Sequence, residues 1–89
     1  MSINEMNKKY NSIEKCLYIL SCFSTENSSM SLDEISEKTN FNITTTYRNL
    51  QTLIDFGYIS RRMDRKYCIG PSFVYLSAVA NKDLELSQV

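Results

Sequence analysis

The chain has 89 residues, 43% of them hydrophobic and 22% charged, which is the size and composition of one soluble globular domain. It contains no histidine, and this excludes the usual zinc ligand sets and every histidine-based catalytic arrangement. Ten basic residues balance ten acidic ones, so the net charge gives no argument for nucleic-acid binding by the chain as a whole.

Three further expectations follow from the composition. The three cysteines include no Cys-x-x-Cys pair, so we interpret them as reduced thiols in small apolar roles and expect no metal and no cofactor. No apolar run is long enough to cross a bilayer, and the N-terminus lacks the apolar region of a signal peptide. We therefore expect a cytoplasmic protein without membrane contact.

The first predicted elements are a flexible arm and a helix. Residues 1–10 show no hydrophobic periodicity and form the predicted arm. Asn11 can cap the helix that follows, because Glu14 stands three residues later and completes a capping box. Helical spacing predicts an apolar face made of Ile13, Cys16, Leu17, Leu20 and Phe23. The polar segment 24–29 indicates a loop.

A second helix of about two turns is predicted after this loop. Ser31 is its cap, with a glutamate at the capping-box position, and the two residues that flank Ser31 could form a very short extended segment. Ile35 is its main core residue. Asn40 is the residue predicted to adopt a left-handed conformation where the helix ends.

The third predicted helix spans 42–56. Asn42 is its cap, and Gly57 ends it in the position where a left-handed glycine is common. Its buried stripe is predicted at Thr46, Leu50, Leu53 and Ile54. Two helices joined by a turn of about four residues match the helix-turn-helix pattern.

After Gly57 the period changes to that of strands. Residues 58–69 contain two short segments rich in Tyr and Ile with basic residues between them, which predicts a β-hairpin with a basic tip. We expect its core residues to be Ile59, Tyr67 and Ile69. A last helix begins near Pro71, with one side formed by Phe73, Leu76, Val79 and Ala80.

This order of elements predicts a mainly α fold with a small β-hairpin, namely a winged helix-turn-helix domain over residues 11–80. It has a three-helix core, a two-stranded wing and a C-terminal linker helix. We expect it to bind double-stranded DNA, because the segment from Ile43 to Tyr67 carries five basic and two acidic residues. The third helix would enter the major groove and the wing would lie on the backbone.

The candidate DNA-binding residues lie at the start of the third helix and in the wing. Short hydroxyl side chains can approach base edges and phosphates closely, and arginine can bind guanine or a phosphate. The candidates are Asn42, Thr44, Thr45, Tyr47, Arg48, Gln51, Arg61, Arg62, Arg65 and Lys66.

Each group of candidates also has a structural interpretation. The threonines could be a tolerated surface, and Tyr47 could be a half-buried support residue. The wing cations could be a solvated charge run that discourages edge pairing. Thr46 falls on the core stripe and is interpreted as structural.

The sequence also resembles the isocitrate-lyase-regulator (IclR) family of bacterial transcription regulators. The similar segments are "NSIEKCLYIL", "SLDEISEKTNFNITTTYRNLQTLIDFGYISR" and "KYCIGPSFVYLSAV". The resemblance implies a DNA-binding domain that dimerises through its first and last helices. This sequence differs from the family pattern at three places. Asn40 stands where the family usually has Gly, and Thr46 stands where it usually has Val. The wing tip lacks the usual Gly.

The resemblance also implies a larger effector-binding domain after the linker that begins over residues 81–89. We expect the chain to be a fragment of such a regulator, with a naturally short regulator as the alternative. We expect no small-molecule ligand in this chain. The alternative function is a winged-helix protein-interaction or dimerisation module without DNA binding, and an enzyme is not expected.

Overall fold

A computed structural model describes the backbone of residues 9–88 and the side chains of residues 9–84. The helices and strands in this part are α1 Ser12–Ser21, β1 Ser29–Met30, α2 Leu32–Thr39, α3 Ile43–Asp55, β2 Ile59–Arg61, β3 Tyr67–Ile69 and α4 Ser72–Gln88. The order confirms the winged helix-turn-helix prediction. Most of the predicted N-terminal arm, residues 1–8, lies outside the described residues.

All three predicted helix caps are confirmed. At α1 the Glu14 amide donates to Asn11 Oδ1 at 2.8 Å, and the Asn11 amide donates to Glu14 Oε1 at 3.2 Å. Ser31 and Glu34 form the same reciprocal pair at α2, with distances of 3.2 and 3.0 Å. Asn42 Oδ1 accepts the third amide of α3 at 2.8 Å. Side chains therefore satisfy backbone donors that have no intrahelical partner.

The predicted apolar face of α1 is wrong at two positions. Ile13 is 72% exposed and Leu17 is 58% exposed, whereas Ile19, which was not predicted, is completely buried. Cys16 lies on the α3 side, with its Sγ 3.7 Å from Asn49 Oδ1. Because α1 packs against α3 along this side, its buried face is rotated away from Ile13 and Leu17 toward Ile19.

The turn between α2 and α3 has the predicted left-handed residue, since Asn40 has φ 61° and ψ 23°. Side-chain hydroxyls hold the turn on both sides of this residue. Ser36 Oγ donates to the Phe41 carbonyl at 2.6 Å, and Thr39 Oγ1 donates to the Ile35 carbonyl at 2.9 Å. These bonds fix the position of α3 relative to α2.

The sheet has three strands, one more than the predicted two-stranded wing. The hairpin of β2 and β3 is present, and β1 adds a third antiparallel strand in the order β1-β3-β2. Met30 pairs with Tyr67, and both are buried. A strand of two residues has no recognisable sequence pattern by itself, because its hydrogen-bonding partner lies far away along the chain.

The core lies between the first three helices and this sheet. It consists of Ile19, Met30, Ile35, Leu50, Leu53, Ile59 and Tyr67. Ile69 was predicted to belong to it but is 40% exposed. It lies at the end of β3 and borders an open groove between α1 and α4 with Leu17, Leu20 and Phe73.

The end of α3, the end of β3 and the start of α4 meet at one place, which we call the glycine junction (Gly57, Gly70 and Ser72). Gly57 has φ 80°, which confirms its predicted left-handed position. The Ser72 amide donates to the Gly57 carbonyl, and its hydroxyl donates to the Phe56 carbonyl, both at 2.9 Å. A Cβ at Gly70 would overlap the Gly57 carbonyl oxygen. The backbone segments at Gly57 and Gly70 therefore lie closer together than a side chain at Gly70 would allow.

The described residues also bear on thiol chemistry, metal binding and membrane insertion. Cys16, Cys22 and Cys68 are free thiols, and burial raises the pKa of Cys16 and Cys22. Over residues 9–88, no group of three or more His, Cys, Asp or Glu residues could hold a metal ion. The helices in this range are all too short or too polar to span a membrane.

Candidate nucleic-acid interface

The face of α3 that points away from the core carries part of the predicted site. Its buried residues are Thr46, Asn49, Leu50 and Leu53. At about 100° per residue, the opposite side of the helix carries Thr44, Arg48, Gln51 and Asp55. Thr44 and Arg48 are exposed, and Gln51 is half-buried. These three residues occupy adjacent turns and form one outward surface, which we call the reading face (Thr44, Arg48 and Gln51).

The other two helix candidates lie on opposite flanks of the reading face. Tyr47 is 45% exposed, and Thr45 is half-buried. Helical geometry separates these two side chains by about 160° around the helix axis. The structure therefore does not bring all of the predicted helix residues into one patch, and Tyr47 and Thr45 can only contact the sides of a groove that holds the reading face.

Thr46 and Asn49 have structural roles inside α3. Thr46 is completely buried, as predicted, and its hydroxyl donates to the Asn42 carbonyl at 2.9 Å. Asn49, which was not predicted as buried, donates from Nδ2 to the Thr45 carbonyl at 3.0 Å. Its position three residues after Thr46 could have indicated burial, but its polar side chain argued against the core stripe.

Asn42 is at once the cap of α3 and a predicted DNA-binding residue. Its side-chain oxygen accepts the Thr45 amide at 2.8 Å. The side-chain NH₂ group of this exposed residue is the part that could donate to a phosphate or a base. The other free amides of the helix start lie beside this cap.

The wing tip is a tight loop from Arg62 to Lys66. The Arg65 amide donates to the Arg62 carbonyl at 3.0 Å, and the Arg62 amide donates to the Lys66 carbonyl at 2.7 Å. Arg65 has φ 70°, so a turn is followed by one left-handed residue, as in hairpins with a glycine bulge. Arg65 thus stands at the position that glycine usually takes.

Two of the four predicted wing cations have a partner within the domain. The guanidinium carbon of Arg61 lies 5.4 Å from the centre of the Tyr67 ring. Arg62 Nε lies 3.5 Å from an Asp64 carboxylate oxygen. The hydrogen bond from the Ser31 amide chiefly lowers the pKa of Glu34, and the nearby charge of Lys66 lowers it further.

Arg65 differs in this respect from Arg61 and Arg62. Among the residues that the structure describes, its side chain has no ion pair and no ring contact, and it is exposed. The chain's four arginines are Arg48 and the three wing arginines, so all of them lie on α3 or the wing. Guanidinium groups suit phosphate and guanine recognition better than ammonium groups do.

These observations define a class of protein, a winged helix-turn-helix domain whose reading helix and wing are exposed and carry the arginines. The family model of the IclR helix-turn-helix domain matches residues 12–62. The chain belongs to the IclR family, which is a family of DNA-binding transcriptional regulators. A comparison with curated proteins gave no match.

Several solved structures of IclR-family regulators have a similar fold. An IclR transcriptional regulator from Alicyclobacillus acidocaldarius is 28% identical, with a TM-score of 0.75 over 82% of this chain and 30% of its own. An IclR homolog from Microbacterium sp. is 18% identical, with a TM-score of 0.79 over 89% of this chain and 33% of its own. The latter likeness concerns the fold alone. The chain spans about a third of the length of these proteins.

Proposed function

We propose that this domain binds double-stranded DNA in a sequence-specific way and thereby controls transcription in the cytoplasm. The start of α3 enters the major groove, and the wing lies along the DNA backbone. No small-molecule ligand binds to this chain. The observation that carries the proposal is the exposed reading face, with Arg48 on it and the basic wing following α3 directly. Family membership supports DNA binding as the general activity.

The reading face suits base recognition. Thr44 and Gln51 lie seven residues apart, which corresponds to about 10 Å along a helix, or about three base pairs. Arg48 lies between them and can donate two hydrogen bonds to guanine, while the amide of Gln51 can pair with adenine. Asp55 lies on the same side but near the other end of α3, where its carboxylate stays away from the phosphates if the helix enters by its N-terminus.

The test uses a duplex selected from a random DNA pool by the wild-type domain. The dissociation constant should rise with salt, with a log-log slope of about −0.9 in affinity for each neutralised phosphate. Arg48→Ala should relax sequence preference at one position, whereas Arg61→Ala or Arg62→Ala should weaken binding to all duplexes alike. Lys82→Ala, on α4, is the matched control and should change neither.

Two results would contradict this proposal. Failure to bind any duplex, or binding that does not depend on salt, would contradict the proposed DNA-binding activity. Identical behaviour of Arg48→Ala and the wing variants on every duplex would instead remove the division of roles between α3 and the wing.

We also propose that the domain forms a homodimer through α1 and α4. Both helices expose apolar side chains, namely Ile13, Leu17, Tyr75, Leu76 and Val79. Large apolar side chains on adjacent turns of an exposed helix are typical of an interface. Val79→Glu should make the domain monomeric in a sedimentation series, whereas Ser77→Glu, on another side of α4, should not. Equal behaviour of the two variants would contradict an interface through this face.

The same exposed face of α4 favours the second candidate function, a module that docks protein without DNA. Such a role requires no cluster of arginines on α3 and the wing. A domain that self-associates through Val79 but binds no selected duplex would support this candidate over the first.

A further inference from the structure

A stripe of apolar residues runs along one flank of α3, beside the reading face. It consists of Ile43, Tyr47, Leu50 and Ile54, whose helical spacing keeps them on one side of the helix. Leu50 is completely buried, and Ile54 packs against the core. Ile43 is 43% exposed and Tyr47 is 45% exposed. The fold therefore covers the C-terminal half of this stripe and leaves its N-terminal half in solvent.

The two exposed residues, which we call the apolar flank (Ile43 and Tyr47), lie at the end of α3 that is proposed to enter the major groove. Ile43 is the first residue of the helix. Residues four apart are neighbours on a helix surface, with about 6 Å between their Cβ atoms, so the two side chains form one patch. Gln51 of the reading face lies four residues further along the same row. The apolar flank is thus continuous with the polar surface proposed to contact bases.

Neither packing nor helix propensity explains the isoleucine at this position. In the described part of the chain, Ile43 belongs neither to the core nor to the residues packed against it. Lysine, arginine and glutamine are better helix formers than isoleucine, and a lysine or an arginine would also bind a phosphate. Adjacent exposed apolar side chains instead indicate a partner with apolar groups. Duplex DNA has one such group in its major groove, the C5-methyl group of thymine.

We infer that the apolar flank contacts the C5-methyl groups of thymines beside the base pairs that the reading face contacts, with Ile43 as the residue that determines this preference. The inference rests on the proposed DNA binding and deepens it, because it adds an apolar contact to the hydrogen bonds of Arg48 and Gln51. The C5-methyl group projects from the part of the base nearest its own strand, at the side of the major groove. A flank of the inserted helix faces this side of the groove.

The experiment starts from a duplex that the wild-type domain selects from a random pool, and replaces its thymines with deoxyuridine one at a time. This change removes the C5-methyl group and leaves the hydrogen-bonding groups of the base in place. At one or two thymines in the segment that α3 protects, wild-type affinity should fall about fourfold, as expected when one methyl group loses an apolar contact. At the other thymines it should stay the same.

Ile43→Ala assigns the preference to this residue. The variant should bind the unmodified duplex more weakly than wild type and should no longer distinguish it from the deoxyuridine duplex. Alanine is the better helix former, so weaker binding would not reflect a weaker helix. Ile43→Val, which keeps a branched apolar side chain, should retain the distinction. Val74→Ala is the matched control, because it shortens an exposed apolar side chain on α4, and it should also retain the distinction.

Three results would overturn the inference. Wild-type affinity that is equal on the unmodified duplex and on every deoxyuridine duplex would exclude the methyl contact while leaving DNA binding intact. An Ile43→Ala variant that still distinguishes the duplexes would show that the preference comes from another residue or from the shape of the DNA. Failure to bind any duplex would overturn the proposed function itself, and this inference with it.

Discussion

Thr46 shows how a polar residue can be accommodated in the core of this domain. The hydroxyl is completely buried but donates to the Asn42 carbonyl at 2.9 Å. The same carbonyl also accepts the Thr46 amide at 2.9 Å. The hydroxyl therefore duplicates a bond that the helix already makes, and its removal would leave no buried group without a partner.

Replacement of Thr46 with valine should consequently stabilise the domain. We expect Thr46→Val to raise the free energy of unfolding by about 0.5–1 kcal/mol, because a methyl group replaces a buried hydroxyl. Thr46→Ser, which keeps the hydroxyl and loses the methyl group, should lower it. Urea denaturation measures both changes, and a loss of stability in Thr46→Val would show that the hydroxyl bond is needed.

At the scale of the elements, we expect the cap of α2 to respond to pH. The Ser31 amide, which donates to Glu34 Oε1 at 3.0 Å, favours the charged carboxylate and holds the pKa of Glu34 below its usual value of 4.5. A carboxyl with a lowered pKa in the folded state stabilises that state above its unfolded pKa. This contribution is lost as the pH falls through the folded value.

Glu34→Gln should therefore have its largest effect on stability at neutral pH. The melting temperatures of Glu34→Gln and wild type should converge at a pH well below 4.5, where the carboxyl is protonated in both states. Glu37→Gln, on the same helix but outside the cap, is the control for a general loss of charge. A difference between Glu34→Gln and wild type that is constant over this pH range would contradict a capping role for the charged carboxylate.

The elements also show what the sequence could predict. The caps at Asn11, Ser31 and Asn42 and the left-handed residues Asn40 and Gly57 were predicted correctly, because each depends on the chemistry of a few adjacent residues. The apolar face of α1 was predicted wrongly at Ile13 and Leu17, and the pairing of the short segment before Ser31 with β3 was not predicted. Both depend on contacts between distant segments, and α1 has apolar residues on more than one side.

The candidate site was predictable to a similar degree. Composition and spacing indicated which residues would lie on α3 and in the wing. They could not show that Tyr47 and Thr45 flank the helix on opposite sides, or that Arg65 takes a left-handed conformation. Backbone hydrogen bonds across the hairpin determine that conformation, and no single residue of the tip indicates them.

At the scale of the whole molecule, the glycine junction connects α3, the wing and α4. Gly70 faces the backbone of Gly57 and Ile59, where a Cβ would approach the Ile59 nitrogen to 2.9 Å. At Gly57 the nearest atom to an added Cβ is instead the hydroxyl of Ser72. A side chain can rotate away, but the backbone at Gly70 can move only if the elements separate.

Gly70→Ala should thus be the more damaging of the two substitutions. We expect it to lower the free energy of unfolding by about 2–3 kcal/mol, as overpacking against fixed atoms does. Gly57→Ala should cost about 1 kcal/mol for its left-handed backbone and little beyond the displacement of the Ser72 hydroxyl. Equal costs in urea denaturation, or a larger cost for Gly57→Ala, would contradict the assigned packing.

The bonds of Ser72 to both Phe56 and Gly57 have a mechanical consequence. They connect the first turn of α4 to the residues that end α3, at a point outside the main core. A force on α4, which has 17 residues, would therefore reach the end of α3 through these two hydrogen bonds. The long helix would then move as a rigid body about the glycine junction.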